Sequence, residues 1–348
     1  MPAAKKSIKS ILALDGGGVR GIITAQWLAE LERRLGKPVH NYVDLVAGTS
    51  TGSILACAVA SGIPATKIVD LYKNRARHIF PKRSSWNIFG RAYDWTANTL
   101  SNGISHPKYE PNGLHAELKR VFKSTTTLGQ MKIPVVVTSY DTLGRQAVVF
   151  KRDNPAHRNL KVWEVCTASS SAPTYFPAHV MKIGHGKVPL IDGGVVANNP
   201  TACAIAEAIR VRTDAKQDRA AVMQDLFVVS MGTGETTRPI TIEESQEWGA
   251  IEWAIPVIDV LFDGAADAVN YIVKQTVGDE NYVRLQVKLT KAYDELDNAD
   301  ETNLNALLNH ASAYIQNEGA EKIQQVVDGL KQSRRAATTG KKRTAAAN

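Results

Sequence analysis

"YVDLVAGTSTGSILACAVASG", Tyr42 to Gly62, opens apolar and β-branched, breaks at Gly48, and closes as a run of small residues ending at Gly62. The first part has the composition of a buried strand and the last the spacing of a helix. Between them, Gly48-Thr49-Ser50-Thr51-Gly52 fits G-x-S-x-G in the strand–turn–helix setting that the pattern requires. Small residues two positions to either side let the chain bend sharply. The bend lifts the serine hydroxyl above the sheet, at the positive end of the helix. Ser50 is therefore a candidate nucleophile; the plainer alternative is a serine that only caps the helix.

The chain upstream repeats the design. Ile11 to Leu14 reads as a buried strand, "DGGGVRG" (Asp15 to Gly21) as a glycine turn, and "IITAQWLAELERRLG" as a helix ending at Gly36. Both strands are too apolar to face water, so parallel strands covered on both sides explain them best, an α/β architecture. Further along, "KIPVVVTSYDTLGRQAVVFKR" predicts two strands around a turn, and "NLKVWEVCTASSSAP" a helix running into a loop. "KVPLIDGGVVANNP" predicts a strand with a second glycine turn, "TACAIAEAIRVR" a helix, and "DLFVVSMGTG" another buried strand. Residues 81–112 show no sustained period; Trp86, Ile88, Phe89, Tyr93 and Trp95 would suit an acyl channel, an interface or simple packing. The apolar stretch from Trp248 to Phe262 has the same three readings. The pattern predicts one α/β domain over residues 8–330.

Residues 331–348, "KQSRRAATTGKKRTAAAN", hold six of the chain's 42 basic residues and no acid, so the net charge of +8 lies largely there and the rest is nearly neutral. This stretch is expected to be a disordered basic tail. Cys57, Cys166 and Cys203 form no framework and no CxxC pair, and read as buried thiols of a reducing compartment. The first residues contain too short an apolar run for a signal-peptide core, and no segment approaches a bilayer span. A cytoplasmic protein is the expectation.

Three glycines after a strand, Gly16, Gly17 and Gly18, turn successive backbone N–H groups onto one concave surface. Such a nest holds a negative oxygen, of a phosphate or of an oxyanion formed in acyl transfer. Gly16, Gly18 and Gly21 match G-x-G-x-x-G weakly, since the acid a dinucleotide site needs at the end of the next strand is missing; Asp44 comes too early. No P-loop lysine is present. A phosphate- or nucleotide-binding protein without catalysis remains the alternative reading of this loop.

A nucleophilic serine needs a base. None of the eight histidines carries a signature; His310 fits a helix face, and His179 and His185 flank "VMKIG". Asp192 is the better candidate. It ends an apolar strand and two glycines follow, leaving its carboxylate open on one side. A turn aspartate capping its own backbone is the alternative. As a base, a carboxylate with the ordinary pKa of about 3.9 is weak, so it would act only with a well-stabilised oxyanion beside it.

Taken together, "DGGGVRG", "GTSTG" and "DGG", with "PVVVTSYDTLG", "ASSSAPTYFP" and "NNP" in the same order, resemble the patatin-like phospholipases. The resemblance covers about residues 8 to 235. It implies a three-layer α/β/α patatin-like fold with a central, mainly parallel sheet, and lipid acyl hydrolysis by a Ser–Asp dyad. By motif it assigns Ser50 as nucleophile, Asp192 as dyad aspartate, and Gly16, Gly17 and Gly18 as oxyanion-hole residues. Arg20 is the basic residue of the same loop, for orienting it or meeting a head group, against the alternative of a surface ion pair. The resemblance implies no metal and no cofactor, and a phospholipid or membrane surface as partner with no specific nucleic acid. Length and the missing signal resemble bacterial cytoplasmic members, some of which a cyclic dinucleotide switches on in anti-phage signalling. Such an activator, and a homo-oligomer, stay open.

Overall fold

The computed structural model describes residues 8–81, 106–235, 237–253, 256–290, 292 and 295–346. The aromatic residues Trp86 to Trp95 discussed above lie outside them.

Eight strands form one sheet: β1 (Ser10–Leu14), β2 (Leu45–Thr49), β3 (Val135–Asp141), β4 (Gln146–Lys151), β5 (His179–Ile183), β6 (Gly186–Asp192), β7 (Phe227–Met231) and β8 (Tyr282–Leu285). Their order is β5-β6-β3-β2-β1-β7-β8, with β4 also paired to β3. The five strands β3-β2-β1-β7-β8 run parallel, while β4 and β6 pair antiparallel with β3, and β5 antiparallel with β6. The sheet is mixed and mainly parallel.

Alternation along the strands produces the layers. Leu12, Leu14, Val46, Val137, Val229 and Met231 join one apolar core, whose helices include Gly21–Leu35, Thr51–Ser61, Ala65–Ile79 and Glu301–Gln316. The intervening Ile11, Leu45, Ala47, Val136 and Val228 join a second core on the other face, under the Thr201–Asp214 helix and the end of the Pro256–Val277 helix. Because both faces are covered, the strands need to be apolar throughout, as their sequences are. The result is an α/β/α sandwich.

Two elements differ from the sequence reading. β5 follows no alternation strong enough to announce it: it lies at the sheet edge and only Met181 within it is buried. The last helix, Ala320–Ala346, carries helical backbone into the basic segment expected to be disordered. Alanine, lysine, arginine and glutamine are among the better helix formers, which accounts for the continuation.

The register brings the functional ends together. Thr49 of β2 pairs with Thr138 of β3, and the next residue of β3, Ser139, pairs with Asp192 of β6. The residue after Thr49 is Ser50. The carboxyl ends of β1, β2 and β7 lie beside it, where open α/β sheets place their ligands.

Candidate active site

Ser50 stands between β2 and the Thr51–Ser61 helix with φ 53° and ψ −127°, a left-handed backbone that L residues seldom adopt. The bend is held from two sides. Ser50 N–H donates to Ser169 Oγ at 2.8 Å. Gly52 lies so close to β1 that a Cβ there would sit 2.1 Å from the Leu14 carbonyl oxygen, so the small residue after the serine is a steric requirement. Ser50 Oγ donates to Asp192 Oδ2 at 2.6 Å. The structure thus brings together the two side chains that the sequence places 142 positions apart.

Asp192 is fully buried. Its other oxygen, Oδ1, accepts the Gly194 N–H at 2.7 Å, a bond made through the glycine turn that follows. Burial drives its pKa up to about 7, against the lowering pull of the Ser50 hydroxyl and the Gly194 amide. A carboxyl tuned to neutrality is a far better base for a hydroxyl than an ordinary one, which removes the difficulty its residue type posed. Among the described residues, no histidine lines the pocket that holds Ser50. His115 and His179 instead stack near Trp163, where burial lowers both, His179 to about 4.

The glycine turn divides its labour. Gly16, grouped with the amide nest on sequence grounds, is already committed: its N–H donates to the Asn198 carbonyl at 3.1 Å. Its part is to let the loop pass, since a Cβ would meet Asn198 Oδ1 at 2.2 Å. Gly17 (φ 154°) and Gly18 (φ 55°) have backbones suited to glycine, and Gly18 lines the pocket with Ser50 and Asp192. Thr233 Oγ1 donates to the Gly16 carbonyl at 2.8 Å, and Val19 N–H donates to the Leu296 carbonyl at 2.8 Å, so the loop is pinned on both flanks. Arg20 is only 3% exposed, which excludes the surface ion pair; its Nε is buried without a hydrogen-bond partner among the described residues.

Beneath the nest lies a buried ion pair that sequence reasoning missed. Arg284 Nη2 of β8 donates to Asp15 Oδ2 at 2.6 Å, and its Nη1 donates to Ser230 Oγ of β7 at 2.8 Å. Burial raises the Asp15 carboxyl, and Arg284 opposes that rise. The pair ties the first residue of the glycine turn to two neighbouring strands.

At Ser50 opens an apolar pocket walled by Ile54, Tyr72, Leu114, Tyr175, Phe176 and Phe262. The stretch Trp248–Phe262 is therefore divided: Phe262 belongs to this wall, while Trp248 and Trp253 pair with each other, ring centroids 5.2 Å apart. Among the described residues no cluster of side chains fit for a metal ion occurs, and no helix is long and apolar enough to cross a membrane.

Comparison with known proteins bears on the family. The family model described as "Patatin-like phospholipase" matches residues 12–205. The chain is 29% identical to Patatin-like protein 2 of Oryza sativa subsp. indica, over 87% of this chain and 83% of that protein. It is 30% identical to Patatin-like protein 2 of Arabidopsis thaliana, over 88% of this chain and 82% of that one. Patatin-08 of Solanum tuberosum is 29% identical over 88% and 83%. Among solved structures, human GIVD cytosolic phospholipase A2 gives a TM-score of 0.46 at 10% identity, covering 94% of this chain and 61% of that one. VipD from Legionella pneumophila gives 0.43 at 14% identity, covering 88% and 67%. Likenesses that distant carry no argument about individual residues. The family model matches more than half of the chain, and this chain belongs to the patatin-like phospholipase family.

Proposed function

We propose that the protein is a serine lipid acyl hydrolase that cleaves phospholipid acyl esters through an acyl-enzyme. The observation that carries this reading is the 2.6 Å contact between Ser50 Oγ and Asp192 Oδ2 at the foot of an apolar pocket. In the first step Ser50 Oγ attacks the ester carbonyl and its proton passes to the Asp192 carboxylate. The carbonyl oxygen becomes an oxyanion within reach of the Gly17 and Gly18 amides. Collapse breaks the acyl C–O bond, and the leaving alkoxide takes the proton from Asp192. Water then attacks the acyl-serine, giving a proton to Asp192; Asp192 passes it to Ser50 Oγ as the acyl–Oγ bond breaks, and the fatty acid leaves. The apolar walls receive the fatty chain and exclude water, which strengthens each of these charge interactions. Arg20, buried in the oxyanion loop, orients that loop rather than acting at the surface.

Fluorophosphonate labelling and lipid hydrolysis, read by mass spectrometry of the products, test the proposal. Ser50→Ala and Asp192→Ala, each folded, should lose both signals; robust hydrolysis by either overturns the assignment. The purely phosphate-binding alternative gains nothing from a pocket walled by aliphatic and aromatic side chains. The three relatives matched by sequence above are plant proteins and lend no support to a specifically bacterial subtype. Activation by a cyclic dinucleotide rests on none of the described residues, and enters as an arm of the same assay: hydrolysis with and without a panel of cyclic di- and oligonucleotides.

A further inference from the structure

Ser169, Ser170 and Ser171 close the Val162–Ser169 helix and follow it, and they wrap the Ser50–Asp192 pair. Ser169 serves it twice: its Oγ accepts the Ser50 N–H at 2.8 Å, and its carbonyl accepts the Gly193 N–H at 3.2 Å. The Ser171 carbonyl accepts the Asp192 N–H at 2.9 Å, and Ser171 Oγ donates to the Thr167 carbonyl at 2.9 Å. Between them the Ser170 backbone is fixed, its N–H shared by the Cys166 and Thr167 carbonyls at 3.0 Å each. The Ser170 hydroxyl has no such task. Several buried side-chain oxygens and nitrogens lack a hydrogen-bond partner among the described residues, and Ser170 Oγ is the one that belongs to a residue lining the pocket of Ser50 and Asp192.

The neighbouring hydroxyls of that lining are otherwise placed. Ser50 donates to Asp192, and the Thr51 and Tyr72 hydroxyls hydrogen-bond each other. Tyr175 also lines the adjoining polar cavity, with Lys108 and Asp297. A buried hydroxyl left unpaired costs free energy, so its retention calls for a reason. Burial does not disqualify Ser170 Oγ from the chemistry, since Asp192 in the same lining is fully buried too.

The sheet order decides which reacting atom this hydroxyl can meet. Ser50 follows β2; the glycine turn follows β1 on one side, and β3 and β6 lie on the other. Gly17 and Gly18, proposed to hold the oxyanion, therefore approach from the β1 side. Asp192 and the serine segment bonded to it approach from the β6 side. In the reaction proposed above, Asp192 protonates the leaving oxygen during acylation and takes a proton from water during deacylation. By microscopic reversibility those two oxygens occupy one place, beside Asp192. We propose that Ser170 Oγ hydrogen-bonds the oxygen in that place. Its O–H donates to the developing alkoxide until Asp192 protonates it, and the same hydroxyl then holds the attacking water. No bond to Ser170 forms or breaks. The assignment rests on the acyl hydrolase reading.

The test compares two soluble esters of one short-chain acid, using the full chain. In a nitrophenyl ester the leaving oxygen needs no help; in an ethyl ester it does. Ser170→Ala should lower kcat/KM for the ethyl ester about tenfold or more, and leave that for the nitrophenyl ester within about threefold of wild type. On the nitrophenyl ester its kcat should fall about tenfold behind a pre-steady-state burst of nitrophenol, because deacylation still needs the water to be held. The urea midpoint should match or exceed that of wild type, since no hydrogen bond within the described residues is lost. Equal losses on the two esters, no loss on either, or a lowered midpoint overturns the assignment. So does the same split arising in Tyr175→Phe and not in Ser170→Ala. Turnover of either ester by Ser50→Ala defeats the hydrolase reading itself; with Ser50→Ala inert, the outcomes above bear on Ser170 alone.

Discussion

Replacing Asp192 by asparagine should inactivate the protein and stabilise it, by an amount that depends on pH. The side chain is fully buried, with a pKa raised to about 7 by that burial, whereas in the unfolded chain it titrates near 3.8. The native state therefore keeps its proton over a range in which the unfolded state has lost it. Between about pH 4 and pH 7 the native state binds one proton more, so wild-type stability falls as pH rises, by about 1.4 kcal/mol per unit. Above pH 7 both states are ionised and the full penalty is present. The interval between the two values is about three units, which gives a penalty of about 4 kcal/mol from this one carboxylate. Asparagine has nearly the same shape, can accept the Gly194 N–H, and never carries charge. Urea unfolding of wild type and Asp192→Asn at pH 5 and pH 8 measures the effect. The advantage of the variant should grow by about 3 kcal/mol between the two, since about two units of the interval lie above pH 5. A difference between variant and wild type that does not move with pH, or that shrinks as pH rises, would refute the reasoning. Such a gain in stability on losing a functional charge is the expected mark of a site held against its own folding preference.

The same titration should appear in catalysis: kcat/KM for a soluble ester rises with pH through an apparent pKa near 7, as Asp192 becomes an available base, and a profile flat from pH 5 to pH 8 contradicts that role. Gly18→Ala should lower kcat about a hundredfold or more, because its φ of 55° strains an alanine and the Cβ would stand 1.9 Å from the Leu296 carbonyl oxygen, displacing the amide proposed to hold the oxyanion. Steady-state kinetics with a check of folding by circular dichroism reads this out. Arg284→Leu should destabilise the protein by about 3–5 kcal/mol in urea, since it leaves the Asp15 carboxylate buried without its cation. An Arg284→Leu protein as stable as wild type would show that the pair contributes nothing to holding the glycine turn.

What could be read from the sequence divides along physical lines. The strands and helices that carry the site were legible because each is announced locally: an unbroken apolar run, a helical period, a glycine at the bend. Ser50 and Asp192 were legible for the same reason, each standing at a strand end among glycines whose backbone freedom the geometry uses. β2 begins at Leu45, later than the apolar composition from Tyr42 suggested, because Asp44 is engaged with Ser10 at the start of β1. The residues around the Ser50–Asp192 hydrogen bond left no local trace. Ser169 is one of three consecutive serines, and only the fold turns its hydroxyl to the Ser50 amide. Arg284 has no sequence feature that marks it, and its partner Asp15 is 269 positions away. The commitment of the Gly16 amide to Asn198 could not be seen either, because the three glycines are alike in sequence and differ only in what lies opposite them. The neutral pKa of Asp192 likewise follows from burial, a property of the whole fold.

The central claim is that the Ser50 oxygen carries the acyl group. Rapid quenching of wild-type protein in the course of lipid hydrolysis, then peptide mass mapping, asks this directly. The account predicts a fatty-acyl mass on the peptide containing Ser50, absent from Ser50→Ala and from Asp192→Asn. Turnover that persists in Ser50→Ala, or an acyl adduct on any other residue, would contradict it.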